Sequence, residues 1–184
     1  MNESYHYESH YESDVRKMSM ASLFAALIAV GAFIKVPLPL GPVPITLQVL
    51  FIFLAGALLG ARWGLISVAV YLLLGIVGLP VFSGGSSGIG VLFGPTGGYL
   101  AGFAVAAFII GSLSVKWGTS NVFRNAVCMS AGLFTIYLLG AGYLMYVADL
   151  SVESAILLGV VPFLPGDLLK LALSSIIVAK YSLD

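Results

Sequence analysis

The sequence predicts an all-α integral membrane protein with six transmembrane helices, both termini cytoplasmic, and ordered external loops capping a ligand pocket. Three observations carry this reading. Of the 184 residues, 60% are hydrophobic and only 9% are charged, and the mean hydropathy is +1.07, far outside soluble globular norms. Apolar runs of membrane-spanning length recur along the chain. The basic residues fall on one set of connections between those runs.

The chain divides at the first apolar run. Formal net charge is zero, yet Glu3, Glu8, Glu12 and Asp14 all precede that run, which leaves the rest of the chain with four acids and eight bases. The motif HYES stands twice in tandem, at His6–Ser9 and His10–Ser13. His6, Glu8, His10 and Glu12 are metal-ligating residue types, but a short tail this polar cannot bury enough apolar surface to offset its ordering entropy. Residues 1–17 are therefore expected to form a disordered cytoplasmic tail, and no metal site is expected. The tail has no basic start ahead of a cleavage site, so it does not read as a signal peptide.

Residues 18–184 are expected to form the six-helix membrane domain. Its apolar runs are Met18–Ile34, Ile45–Gly60, Trp63–Leu79, Gly97–Val115, Ala126–Ala148 and a last one ending near Tyr181. Taken as one helix, Ile45–Leu79 would be about 50 Å long against a hydrocarbon core of about 30 Å, so it must be two helices. Gly60-Ala61-Arg62 supplies the break. Val152–Val161 reads as a short surface or re-entrant helix, and the sixth span starts at Pro165, since proline suits the first helical position.

With a cytoplasmic N-terminus, Arg16, Lys17, Arg62, Lys116, Arg124 and Lys180 lie inside and Lys35 outside, a clear positive-inside pattern. The first, third and fifth connections are then external, and they are the unusual ones. The first holds Pro37, Pro39, Pro42 and Pro44, which stiffen it. The third holds Gly84, Gly85, Gly88, Gly90, Gly94, Gly97 and Gly98. It is not a nucleotide-phosphate loop, because no lysine lies between Lys35 and Lys116. Val81, Phe82, Ile89, Val91, Leu92 and Phe93 are interleaved with the glycines, which favours a folded lid over a mobile linker.

Asp167 and Lys170, three residues apart in PFLPGDLLKLAL, share one helical face. Intramembrane charges cost about 2.5 kcal/mol or more each, so the pair reads as a site, against the alternative of a structural ion pair. Ala21, Ala25 and Ala29 strip one face of the first helix of bulk and let another helix come close, whether from the same chain or from another protein. Cys128, alone in an apolar run, is expected to behave as a small buried hydrophobe.

The runs ASLFAALIAVGAFIKVPLP, PVPITLQVLFIFLAGALLG, GLPVFSGGSSG, FGPTGGYLAGF and FLPGDLLKLAL together resemble the biotin-specific S component of energy-coupling factor (ECF) vitamin transporters, the BioY family. The resemblance covers nearly all of residues 18–181, and GPTGGY followed by PGDxxK is its most specific part. It implies a high-affinity substrate-capture subunit in a prokaryotic cytoplasmic membrane, with a site near the external face capped by the first and third connections. It also implies that Asp167 and Lys170 contact the ligand, and that Ala21, Ala25 and Ala29 meet the transmembrane coupling subunit, which works with ATPase subunits. Ser86 stands where the family pattern has an Asn in the glycine-rich loop.

Biotin's chemistry suits these residues. Its ureido ring has two N–H donors and one carbonyl, matching an acceptor-only carboxylate and a donor-only ammonium. Asp167 would accept from a ureido N–H, while Lys170 would donate to the carbonyl or pair with the valerate carboxylate. Gln48, Ser86 and Tyr99 are candidates for further hydrogen bonds and Gly85 for close backbone approach, with Phe82, Val91 and Phe93 packing on the rings. Tyr99 also fits an interfacial anchor, and Gln48 an interhelical bond.

The expected partners are biotin, the ECF coupling and ATPase subunits and the lipid bilayer, with no nucleic acid and no cofactor. The alternatives are a solitary biotin facilitator or proton-coupled carrier, or an S component for another vitamin. An enzyme is not expected, because beyond the tail there is no histidine and no cluster of carboxylates for acid–base or metal chemistry.

Overall fold

The computed structural model describes residues 2–36 and 42–181, with side chains from Asp14 onward. Pro37 and Pro39 lie outside the described residues, as do the side chains of His6, Glu8, His10 and Glu12. Helix α1 spans Asn2–Phe33. The backbone is thus helical through the segment expected to be disordered. No glycine or proline occurs before Gly31, so nothing in the tail breaks a helix propagated from the apolar run.

A two-stranded antiparallel ribbon follows, β1 (Lys35–Val36) pairing with β2 (Ile45–Thr46). Helix α2 (Gln48–Ile76) consists of two helical stretches that meet at Gly60, whose φ of 77° and ψ of 179° are not helical. That conformation is cheap only for glycine. It folds α2 into a hairpin of two antiparallel arms. Gln48 and Tyr71 are 23 residues apart and would be separated by about 35 Å in a straight helix, yet their side chains hydrogen-bond at 2.7 Å. A Cβ on Gly64 would sit 2.9 Å from the Cα of Gly56, so glycine lets the arms touch. The two helices expected over Ile45–Leu79 are these arms.

The third connection carries two short 3₁₀ turns, Ser83–Gly85 and Ile89–Phe93. Helices α3 (Gly97–Trp117) and α4 (Val122–Val147) follow. They approach closely where Gly102 faces Ile136, whose Cα would lie 3.0 Å from an added Cβ. Asn121 caps α4, its Oδ1 accepting from the backbone N–H groups of Phe123 and Arg124. Helix α5 (Val152–Gly159) is the expected short helix, capped by Ser151. Helix α6 (Leu164–Lys180) starts with a proline in its first turn.

By length and apolarity, four described helices qualify as membrane spans, and a fifth arises if α5 and α6, bent by 53°, form one broken span. Dividing α2 at Gly60 brings the membrane-crossing segments to six. The side chains sort as a bilayer requires. Phe53, Tyr71, Ile110, Met129 and Ile136 fill the interior, whereas Phe134, Leu138, Leu169 and Ile176 stand exposed on the outer surface. Cys128 is buried.

Candidate functional site

The first turn of α6 places Asp167 in the interior, where the unpaired N–H groups of a helix start favour a carboxylate. Lys170, one turn later on the same face, donates from Nζ to Asp167 Oδ1 at 2.7 Å. The side chains of Lys170 and Asp167 are only 10% and 3% exposed. On the other side, Tyr137 of α4 donates its hydroxyl to Asp167 Oδ2, also at 2.7 Å. Among the described residues each carboxylate oxygen thus has one side-chain donor, and a carboxylate oxygen has room to accept another.

These groups open onto a cavity of about 170 Å³. Its walls come from all three unusual connections. Pro42, Val43, Pro44 and Thr46 contribute from the first, Phe82, Ser83, Ser86, Val91 and Thr96 from the third, and Phe163 from the fifth. Helices add Gln48 and Val49 from α2, Tyr99, Leu100 and Phe103 from α3, Ile136 and Tyr137 from α4, and Asp167 and Lys170 from α6. Phe82 is fully buried, with its ring edge-on to Tyr71 at 5.6 Å. This combination of apolar walls and a few convergent polar groups is the usual composition of a small-molecule site.

Of the residues singled out in the sequence, Asp167, Lys170, Gln48, Ser86 and Tyr99 all line the cavity. Their polar atoms are unequally available. Gln48 accepts from Thr46 Oγ1 at 3.0 Å and donates to Tyr71, so it ties the ribbon to both arms of α2. Tyr99 is buried, and its hydroxyl donates to the Gly159 carbonyl at 2.7 Å. It is therefore a strut between α3 and α5 and no interfacial anchor. Ser86 is exposed and donates to the Ser83 carbonyl.

Three expectations need correction. Gly85 is not among the lining residues, because the turn presents Ser83 and Ser86 inward instead. Phe93 is 70% exposed, at the end of the second 3₁₀ turn, and does not pack on the cavity. Ala21 and Ala25 are each 2% exposed, and Ala29 is half-buried. Their small side chains are used for close packing within this chain, so this face of α1 is not free to receive a partner's helix in this arrangement.

Tyr137 and Ser83 are the residues that sequence reasoning missed. Tyr137 is one of three tyrosines in the apolar run Ala126–Ala148, with no spacing that ties it to Asp167. Ser83 Oγ is buried in the cavity wall with no hydrogen-bond partner among the described residues.

Residues 2–183 match the BioY family. The chain belongs to the BioY family. Among its relatives, the biotin transporter BioY of Thermotoga maritima is 46% identical over 90% of this chain and 95% of that protein. The biotin transporter BioY of Rhizobium etli is 38% identical over 88% of this chain and 90% of that protein. The crystal structure of the S-component for biotin from an ECF-type ABC transporter superposes with a TM-score of 0.86 at 31% identity, covering 92% of each chain. This BioY-family chain is accordingly a multi-pass membrane protein, and its helical hairpin and bent α5–α6 pair lie within a fold already known to span a bilayer.

Proposed function

We propose that this chain is the biotin-capturing S component of an ECF-type ABC importer in a prokaryotic cytoplasmic membrane, binding biotin with high affinity. The observation that carries the reading is the buried Asp167 carboxylate, held between Lys170 and Tyr137 at one wall of a largely apolar cavity. A fused-ring ureido compound meets each requirement. Its N–H groups reach the remaining lone pairs of Asp167, its carbonyl accepts a hydrogen bond from Lys170, and its apolar ring faces lie against Phe82, Val91 and Phe163. A buried, already paired carboxylate is fixed in place before the ligand arrives, which lowers the ordering cost of binding.

The chain carries no nucleotide-binding motif, so uphill import is driven by partner ATPase subunits through a transmembrane coupling subunit. Calorimetry of the detergent-purified chain against biotin, thiamine and riboflavin tests capture. Saturable heat with biotin alone is expected, and no heat with biotin refutes the proposal. Co-purification with an ATPase pair tests the coupling.

Tyr137→Phe is expected to weaken biotin binding about tenfold or more, by removing one charge-assisted hydrogen bond that holds the carboxylate. An unchanged Kd would mean that Asp167 is placed by Lys170 and the helix start alone.

Replacing Gly84 and Gly85 with valine is expected to impair binding more strongly. Their φ values are +79° and +76°, and a β-branched residue pays for the left-handed region in strain. The turn that carries Ser83 and Ser86 would then move. Parental affinity in the double variant would show that the turn does not shape the pocket.

A further inference from the structure

The polar groups deep in the cavity leave one feature of an acid ligand unanswered. Lys170 is committed to Asp167, so that pair is neutral and offers no net charge to a carboxylate. A second cation, Lys35, is not itself a lining residue but lies against the turn that contributes Ser83 and Ser86 to the cavity wall. Lys35 stands opposite Thr46 in the ribbon, and directly opposed residues of an antiparallel pair carry their side chains on the same face. Thr46 lines the cavity, so Lys35 leaves the ribbon on the cavity side. Its Nζ lies against the first 3₁₀ turn, where a Cβ on Gly84 would be 2.8 Å from it. Lys35 is exposed and has no ion pair among the described residues.

The neighbouring residue on that turn is Ser83, whose Oγ is buried in the cavity wall without a partner among the described residues. A buried hydroxyl with no bond is destabilising, and the cost is removed when a ligand supplies the bond. Ser83 directly precedes Gly84, so the ammonium and the hydroxyl lie at one turn at the edge of the cavity. An ammonium at the mouth with a hydroxyl just inside suits an anionic oxygen pair.

We infer that Lys35 and Ser83 form an acid-recognition subsite at the cavity mouth, which receives the ligand's carboxylate while Asp167, Tyr137 and Lys170 hold the ureido end. This rests on the biotin-capture reading and assigns the end of the ligand that the reading leaves open.

The test compares biotin with biotin methyl ester, which is uncharged, by calorimetry on the full chain. The parent is expected to prefer the acid. Lys35→Gln is expected to weaken biotin about fivefold, the scale of a partly exposed ion pair, and to leave the ester unchanged. Lys35→Arg should restore the preference, and Ser83→Ala should reduce it to a smaller degree. Binding of the ester reports that each variant is folded. Equal loss for both ligands in Lys35→Gln, or loss for neither, overturns the subsite. Loss of acid preference on Lys170→Gln, with preference retained in Lys35→Gln, overturns it in favour of the deeper lysine. A parent chain that binds neither ligand refutes biotin capture itself, and the subsite with it.

Discussion

Asp167→Asn and Lys170→Ala are each expected to weaken biotin binding at least a hundredfold while the helical fold is retained. The two side chains are buried and bond to each other at 2.7 Å. Removing one member leaves the other charge uncompensated at low dielectric, a cost of about 3–5 kcal/mol. The cost falls on the bound state in particular, because closing a ligand over the cavity removes the water that otherwise relieves a lone charge. Asp167→Asn also converts an acceptor-only group into one that offers N–H donors to the ureido N–H groups. Calorimetry with each purified variant, beside circular dichroism for the fold, checks this. Parental affinity in both would place the ligand elsewhere.

The double variant Asp167→Leu with Lys170→Leu separates ligand binding from fold stability. Exchanging a whole buried pair for apolar residues is often neutral or stabilising. The double variant should therefore melt near the parent temperature and still fail to bind. A large fall in melting temperature would identify the pair as structural.

What the sequence disclosed follows from the range over which each signal acts. Asp167 and Lys170 were legible because three residues on a helix determine a shared face, and because charge in an apolar run is costly enough to need a reason. The hairpin at Gly60 was legible from length alone, since the bilayer sets a limit on any one helix. Tyr137 was not legible, because its bond to Asp167 joins α4 to α6 across 30 residues and no local pattern encodes that. Tyr99 and Gln48 line the cavity, but how their polar atoms are used depends on the Gly159 carbonyl and Tyr71, both remote in sequence. In the glycine-rich connection, composition showed that a folded lid was favoured, whereas which residues point inward depends on 3₁₀ turns that composition does not specify.

The alanine face of α1 shows the same limit, and it yields the second large expected effect. A small-residue repeat specifies that something packs closely and leaves open what does so. Here Ala25 is 2% exposed and lies in the interior cluster with Phe24, Ile28 and Phe53, while Ser22, Leu23, Ala26 and Val30 form the outward side of the helix. Ala25→Trp is expected to destabilise the isolated chain by about 3 kcal/mol or more, since even added methylenes in a filled interior cost about 1–3 kcal/mol. Melting temperature in detergent, biotin binding and biotin uptake in cells should then fall together. On the outward face, Ala26→Trp should leave melting and binding near the parent values, because its side chain projects away from the protein. Normal binding by Ala25→Trp with uptake alone abolished would reverse this assignment: Ala21, Ala25 and Ala29 would then face the coupling subunit, and α1 would have to rotate or separate from α2 to expose them.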